Sequence, residues 1–209
     1  MKKLIAKILL EKQAVKISAN PPFTWTSGMK SPIYCDNRLL ISYPDARKKI
    51  LEGYENLITE NNLTFDVIGG TATAAIPWAA FLAQKLDKPM VYIRPKPKGH
   101  GAGKQVEGTM EKKSRVLIIE DLFSTGGSAV RSAEACQREF DAEIAGALAI
   151  FSYGFSKTEE NFDNAQIPFF SMSDFETLVE ELDISDDEKK MITSFSKNPP
   201  EWWNNFSNK

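Results

Sequence analysis

Residues 116–130 read VLIIEDLFSTGGSAV. An apolar run, Val116 to Ile119, leads into the adjacent carboxylates Glu120 and Asp121, then into Ser124, Thr125, Gly126, Gly127 and Ser128. The spacing of Ala129, Ala133, Cys136 and Phe140 on one face predicts a helix next. A strand, a glycine-containing turn and a helix N-terminus together aim several backbone N–H groups at one anion. The paired glycines allow close backbone approach and positive φ, and the hydroxyls add donors for phosphate oxygens. The segment therefore has the chemistry of a phosphate cradle. It lacks the GK[ST] ending of a nucleotide triphosphate loop and the GxGxxG of a dinucleotide fingerprint. The bland alternative, a surface strand end before a capped helix, does not require acids, hydroxyls and glycines in this order.

The acidic pair decides what else the ligand carries. Carboxylates at the end of a central strand repel a bare phosphate, but they suit ribose hydroxyls or the water shell of Mg²⁺. Phosphoribosyl pyrophosphate (PRPP) offers phosphate on one side and sugar hydroxyls on the other. A second cluster, RPKPKGHGAGK at 94–104, carries Arg94, Lys96, Lys98 and Lys104, no acid, and the chain's single histidine, His100. Its glycines and prolines exclude a stable helix or central strand and predict a mobile cationic loop. When PRPP loses pyrophosphate its C1 develops oxocarbenium character, so catalysis needs stabilisation of the departing charge more than a nucleophile. Mg²⁺, Arg94, Lys98 and His100 could supply it, and a closing lid would exclude water. A solvated linker charged only for solubility is the competing reading of this loop.

Elements that could hold these groups follow from periodicity. Leu4, Ile5, Ile8 and Leu9 predict an amphipathic helix within 2–14, and Pro44 opens a second with Ala46, Ile50, Tyr54, Leu57 and Ile58 on one face. Between them, prolines, Gly28 and the polar Asp36-Asn37-Arg38 stretch predict turns and short strands over 18–42. From residue 65 onward, short apolar runs (FDVIGG, MVYI, VLIIED, IAGALAIF) alternate with helices around 74–87 and 128–140. That alternation indicates an α/β fold with a mainly parallel sheet covered on both faces. Ser173 to Glu176 and Ser185 to Glu188 are capping-box candidates for short C-terminal helices. The expected organisation is a single domain over 1–209: an N-terminal hood over 1–60, a PRPP-binding core over 61–155 and C-terminal helices over 156–209.

Composition limits the alternatives. Of 209 residues, 42% are hydrophobic and 26% charged, which is ordinary for a globular domain. A net charge of -2 argues against a broad nucleic-acid surface. Cys35 and Cys136 with one histidine make a zinc site implausible. The N-terminus returns to charge at Glu11 and Lys12 without a long apolar core or cleavage site, so a cytoplasmic protein with reduced thiols and no membrane span is expected.

Residues 116–128 resemble the PRPP-binding motif of type I phosphoribosyltransferases, with Glu120 where many members carry Asp. Tyr92 to Gly108, YIRPKPKGHGAGKQVEG, resembles the catalytic loop of the orotate phosphoribosyltransferases within that group. PFTWTSGMKSPIYCDNR at 22–38 and GGTATAAIP at 69–77 resemble their orotate-side segments. The resemblance spans about 15–153 and implies a type I phosphoribosyltransferase fold with an N-terminal hood. It implies transfer of a phosphoribosyl group to orotate with Mg²⁺ as cofactor. It implies PRPP contacts from Arg94, Lys98 and His100 and from Glu120, Asp121, Leu122, Phe123, Ser124, Thr125, Gly126, Gly127 and Ser128. No side chain is expected to ligate Mg²⁺ directly; the ion would be held by PRPP and water near Glu120 and Asp121. The family further implies a homodimer whose loop 94–108 acts in the neighbouring active site, where Arg94, Lys98 and His100 are the catalytic candidates. Pro95 and Gly99 depart from residues common in that loop.

For orotate, the resemblance implies contacts from Ser124 and from the Tyr34 and Cys35 backbone. Some members carry cations where this chain has Thr26, Ala74 and Tyr153. Lys30 or Arg38 is therefore expected to neutralise the orotate carboxylate, unless either is tied to Asp36 or Asp45. Trp78, Phe81 and Leu82 read as packing residues, and Cys136 as a small apolar side chain. A transferase for purines or uracil would lack the SGMKSP-type segment. A PRPP-sensing regulator would need neither Lys98 nor His100 and would usually carry a DNA-binding module, of which the sequence has no sign.

Overall fold

The computed structural model describes residues 1–18, 21–25, 28–97, 103–199, 201–202 and 204; Lys98, His100, Gly99 and Thr26 lie outside them. The chain opens with α1 (Lys2–Glu11), whose Ile5, Ala6, Ile8 and Leu9 are buried. Four short strands follow: β1 (Val15–Ile17), β2 (Phe23–Thr24), β3 (Lys30–Ser31) and β4 (Ile33–Cys35). β1 pairs antiparallel with β4, and β2 with β3. A 3-10 helix over Asn37–Ser42, entered through Asp36, completes this N-terminal hood. Then α2 (Pro44–Glu60) begins with Pro at its first position, where the missing N–H costs nothing.

The apolar runs become one six-stranded sheet. Its members are β5 (Val67–Thr71), β6 (Met90–Ile93), β7 (Val106–Glu107), β8 (Arg115–Phe123), β9 (Glu143–Ser152) and β10 (Phe169–Asp174). The spatial order is β10-β9-β8-β5-β6-β7, parallel throughout except for the β6–β7 edge pair. Helices α3 (Ile76–Leu86), α4 (Gly127–Phe140) and α5 (Ser156–Ala165) connect the strands, and α6 (Phe175–Glu180) and α7 (Asp186–Lys197) close the chain.

Alternation along the strands sorts side chains into two layers. Leu117 and Ile119 of β8 join Ile50 and Tyr54 of α2 and Trp78 and Leu82 of α3. Val116 and Ile118 face the other way, against Ala129, Ala133 and Cys136 of α4 and Phe162 of α5. The expected α/β architecture with both faces covered is thus present, and Trp78, Leu82 and Cys136 are fully buried packing residues. Where α3 crosses β5 the contact is tight: a Cβ on Gly70 would lie 2.8 Å from the Ala79 Cβ.

Two boundaries differ from the sequence reading. β8 runs through the acidic pair to Phe123, because pairing with β9 continues as Leu122↔Phe151 and Phe123↔Ser152. Helix α6 is capped by Asp174, whose Oδ1 accepts from the Thr177 amide at 2.8 Å, and not by Ser173. Ser173 belongs to β10, which pairs with β9 up to Asp174↔Ser152, so strand pairing displaces the helix start by one residue. The box at Ser185 and Glu188 is formed in both directions. Among the described residues, no helix is long and apolar enough to cross a membrane.

The hood is fastened to the sheet by an aromatic cluster. The Trp25 ring lies 5.0 Å from Tyr153 and 6.0 Å from Phe195 of α7, which also meets Phe155, Phe175 and Trp202. Phe195 is wholly buried, so its truncation opens a cavity between three parts of the chain. Phe195→Ala is expected to lower unfolding free energy by about 3–5 kcal/mol in urea titrations; a loss below ~1 kcal/mol would show that the cluster does not hold the hood.

Candidate active site

The topology itself selects a location. From β5 the chain moves through α3 to β6 on one side, whereas β8 proceeds through α4 to β9 on the other. Adjacent strands whose connections leave in opposite directions open a crevice beyond their carboxyl ends, the usual ligand position in such sheets. Two loops border it: Ala72 to Ala75 after β5, including a cis Ala72–Thr73 peptide, and Ser124 to Gly126 after β8.

The β8 loop has the form anticipated for an anion cradle. Gly126, at the N-cap of α4, takes φ +73°, and a Cβ there would sit 2.6 Å from Cε2 of Phe162. Only glycine satisfies both the left-handed backbone and the packing. No side chain caps α4. The amides of its first turn and of Thr125 and Gly126 have no acceptor among the described residues, leaving them available to an anion. Phe123 ends β8 with its ring buried against Phe162 and Phe169, so of this residue only the backbone borders the loop.

Glu120 and Asp121 sit just inside the crevice. Glu120 is 5% exposed; its Oε2 accepts from Ser128 Oγ at 2.6 Å and its Oε1 from the Asp121 amide at 3.1 Å. Burial, then the neighbouring Asp121 charge, pushes Glu120 up to about 8 against the pull of those donors. Asp121 is also raised, chiefly by burial, while Glu120 and Arg38 act in the opposite sense. The main chain of the pair is held from outside the sheet. β5 pairs with β8 only as far as Ile119, and beyond it the Glu120 carbonyl accepts from Tyr54 Oη at 2.9 Å and the Asp121 carbonyl from Asn37 Nδ2 at 2.7 Å. Among the described residues no group of three or more His, Cys, Asp or Glu is arranged to hold a metal ion.

Beside this lies a cleft of about 420 Å³ between hood and sheet. The hood contributes Thr24, Trp25, Tyr34 and Cys35, and the sheet side contributes Leu122, Ser124 and Tyr153. The expected orotate-side residues Tyr34, Cys35 and Ser124 therefore share one wall-to-wall space. The Cys35 thiol, pushed well up by burial and the Asp121 and Asp36 charges, stays protonated and donates to Asn37 Oδ1 at 3.4 Å. The Lys30 Nζ donates to Oγ1 of Thr24, one of the cleft-lining residues, at 2.7 Å. Arg38 makes a bidentate pair with Asp36, at 2.6 and 2.7 Å, which holds that carboxyl below its ordinary value. Asp45 is engaged by Lys12 at 2.8 Å.

Arg94 follows β6 and does not line the cleft. Its guanidinium pairs with Glu107 at 3.3 Å, and its main chain exchanges bonds with Gln105. The far side of the loop stem is gripped by Glu139 of α4, whose oxygens accept from the Gln105 and Val106 amides at 2.7 and 3.2 Å.

Several of these residues were not apparent from sequence. In the sequence pattern Tyr54 is one residue of an apolar helix face and Asn37 part of a polar stretch. Thr158 and Asn161 donate to the Ser124 and Thr125 carbonyls. Each bond spans 34 or more positions, so no local pattern announces it.

The electrostatics carry a stability consequence. A carboxyl whose folded pKa lies near 8 binds its proton more tightly folded than unfolded, so the ligand-free protein should lose stability as pH rises from about 4.5 to 8. Glu120→Gln removes this titration, and the Ser128 hydroxyl can turn to accept from the new amide. The variant is expected to be more stable than the parent at pH 8 by on the order of 1–3 kcal/mol, with a flatter Tm profile between pH 5 and 8. Parallel profiles for the two proteins would refute this.

Comparisons with known proteins agree with this geometry. The model of the phosphoribosyl transferase domain matches residues 43–168, more than half of the chain. Orotate phosphoribosyltransferase of Halalkalibacterium halodurans is 46% identical over 203 residues, covering 95% of this chain and 96% of the relative. That of Bacillus subtilis is 44% identical, covering 95% and 94% respectively. The crystal structure of orotate phosphoribosyltransferase from Aeropyrum pernix is 30% identical and superposes with a TM-score of 0.75 over 85% of this chain and 97% of that one. Identity of this extent, over an α/β sheet with its crevice in the same matched region, shows that the chain belongs to the orotate phosphoribosyltransferase family.

Proposed function

We propose that the chain transfers the 5-phosphoribosyl group of PRPP to orotate, forming orotidine 5′-monophosphate and pyrophosphate in pyrimidine nucleotide synthesis. The observation that carries this reading is the position of Ser124. It opens the phosphate-cradle loop and also lines the aromatic cleft, so a ribose phosphate in one and a flat base in the other would meet at that residue. The 5′-phosphate would be received by the Thr125 to Ser128 amides and hydroxyls, and the ribose hydroxyls by Glu120 and Asp121. Trp25, Tyr34 and Tyr153 would give the base aromatic walls.

Bond breaking at C1 places positive charge on the ribose and negative charge on pyrophosphate. Arg94, Lys98 and His100 would stabilise the leaving group as catalytic residues, acting on loop 94–108 in the neighbouring subunit of a homodimer. Mg²⁺, when bound, supplies further positive charge at pyrophosphate. The buried Glu120 carboxylate, already bonded to Ser128 and to the Asp121 amide, suits an ion held through PRPP oxygens and water better than one ligated directly. Arg94 would have to exchange Glu107 for its ligand. The whole chain would work as a single cytoplasmic domain.

The orotate carboxylate is assigned to Lys30, because its Nζ donates to Thr24, a residue of the cleft wall, while Arg38 is turned onto both carboxylate oxygens of Asp36.

Loss of orotate absorbance on adding PRPP and Mg²⁺, with uracil and hypoxanthine as controls, tests the activity; no change with orotate overturns it. Lys98→Ala should lower turnover by about 10² to 10³, the usual loss for one transition-state charge partner, and a rate within threefold of the parent would remove Lys98 from the reaction. Lys30→Ala should raise orotate KM roughly tenfold with kcat little changed, as for loss of one charged hydrogen bond. An unchanged KM would transfer the role to another residue.

A further inference from the structure

An anion cradle made of backbone amides works only if its peptide planes are turned the right way, and something must hold them there. The carbonyl of Ser124 accepts from Thr158 Oγ1 at 2.7 Å, and that of Thr125 from Asn161 Nδ2 at 2.8 Å. Both donors lie on α5, and Thr158 is 1% exposed. Among the described residues the single cis peptide is Ala72–Thr73, so the two peptides after Ser124 and Thr125 are trans. In a trans peptide the N–H points opposite to the C=O of the same plane. Fixing the Ser124 carbonyl toward α5 thus turns the Thr125 N–H away from it, and fixing the Thr125 carbonyl does the same for the Gly126 N–H. Phe162, one turn beyond Thr158 on the same helix, fills the space beneath Gly126 and leaves no room for the loop to drop.

We infer that Thr158 and Asn161 are positioning residues for the phosphate cradle: they orient the Thr125 and Gly126 amides toward the 5′-phosphate without touching it. The inference rests on the cradle holding a ribose 5-phosphate group. It assigns to α5, which contributes no side chain to the cleft, control over affinity for that end of the substrate alone.

The test uses Thr158→Val and Asn161→Ala, with Thr158→Ser retaining the hydroxyl. Titration calorimetry with ribose 5-phosphate reads the cradle directly and needs no turnover. Loss of either donor should weaken binding by about fivefold to tenfold, the effect of one hydrogen bond, and Thr158→Ser should bind within about twofold of the parent. In steady-state assays KM for PRPP, and for orotidine 5′-monophosphate in the reverse direction, should rise by the same factor. KM for orotate and for pyrophosphate should stay unchanged. A merely structural role would lower Tm and move all four constants together, or none. Equal ribose 5-phosphate affinity in parent, Thr158→Val and Asn161→Ala overturns the inference, as does a parent that does not bind ribose 5-phosphate. A parent that binds it but forms no orotidine 5′-monophosphate overturns the proposed function and leaves the inference supported by the calorimetry.

Discussion

Everything at this site depends on keeping two adjacent carboxylates folded into the end of a central strand. Glu120 and Asp121 lie where β5 has stopped pairing with β8, and burial opposes their charge. The Tyr54 hydroxyl and the Asn37 amide satisfy the carbonyls, and Ser128 with the Asp121 amide satisfies the Glu120 carboxylate. The strand end is therefore rigid but electrostatically uncomfortable when empty. Ribose hydroxyls or a hydrated cation would relieve that strain, because donors and positive charge favour the ionised carboxylates. A binding site held in an unfavourable state by its own fold gains affinity from the relief.

The same few residues tie the two halves of the site together. Asn37 reaches from the hood to the Asp121 carbonyl while accepting from Cys35, whose residue forms a wall of the aromatic cleft. Trp25 leans on Tyr153 and Phe195, so the cleft's outer wall is carried by the residue that follows β9 and by the C-terminal helix together. Its shape is thus a property of three distant segments packed on one another, and aromatic edge-to-face contacts give that packing a preferred geometry. On the opposite flank α5 supports the cradle from below, and Glu139 of α4 anchors the stem of the cationic loop. Since α4 starts at the cradle and ends at the loop stem, one helix spans the binding and lid elements.

The chemistry-bearing segment is legible in the sequence because its logic is local. Apolar run, acids, hydroxyls and glycines occur in the order in which the chain builds strand, crevice and helix N-terminus. The α/β layering was legible for a similar reason: strands buried on both faces read as unbroken apolar runs, as at 116–119 and 144–151. The extent of β8 was not, since acids at 120 and 121 look like a strand end, yet pairing with β9 carries the strand on to Phe123. The cap of α6 was misplaced by one residue because Ser173 and Asp174 both suit an N-cap, and only strand pairing discriminates between them.

Sequence by itself determined the chemical character of the site, the fold class and the family resemblance, since these reside in residue types and short periodicities. Tertiary structure decided which residues serve the site from a distance: Tyr54, Asn37, Thr158 and Asn161 hold it through bonds across 34 to 84 positions. It also bound Arg38 to Asp36 and joined Lys30 to Thr24 of the cleft wall. The physical reason is that a carbonyl's partner is chosen by where the chain folds back, and such closure depends on packing of the whole core rather than on any neighbouring residue.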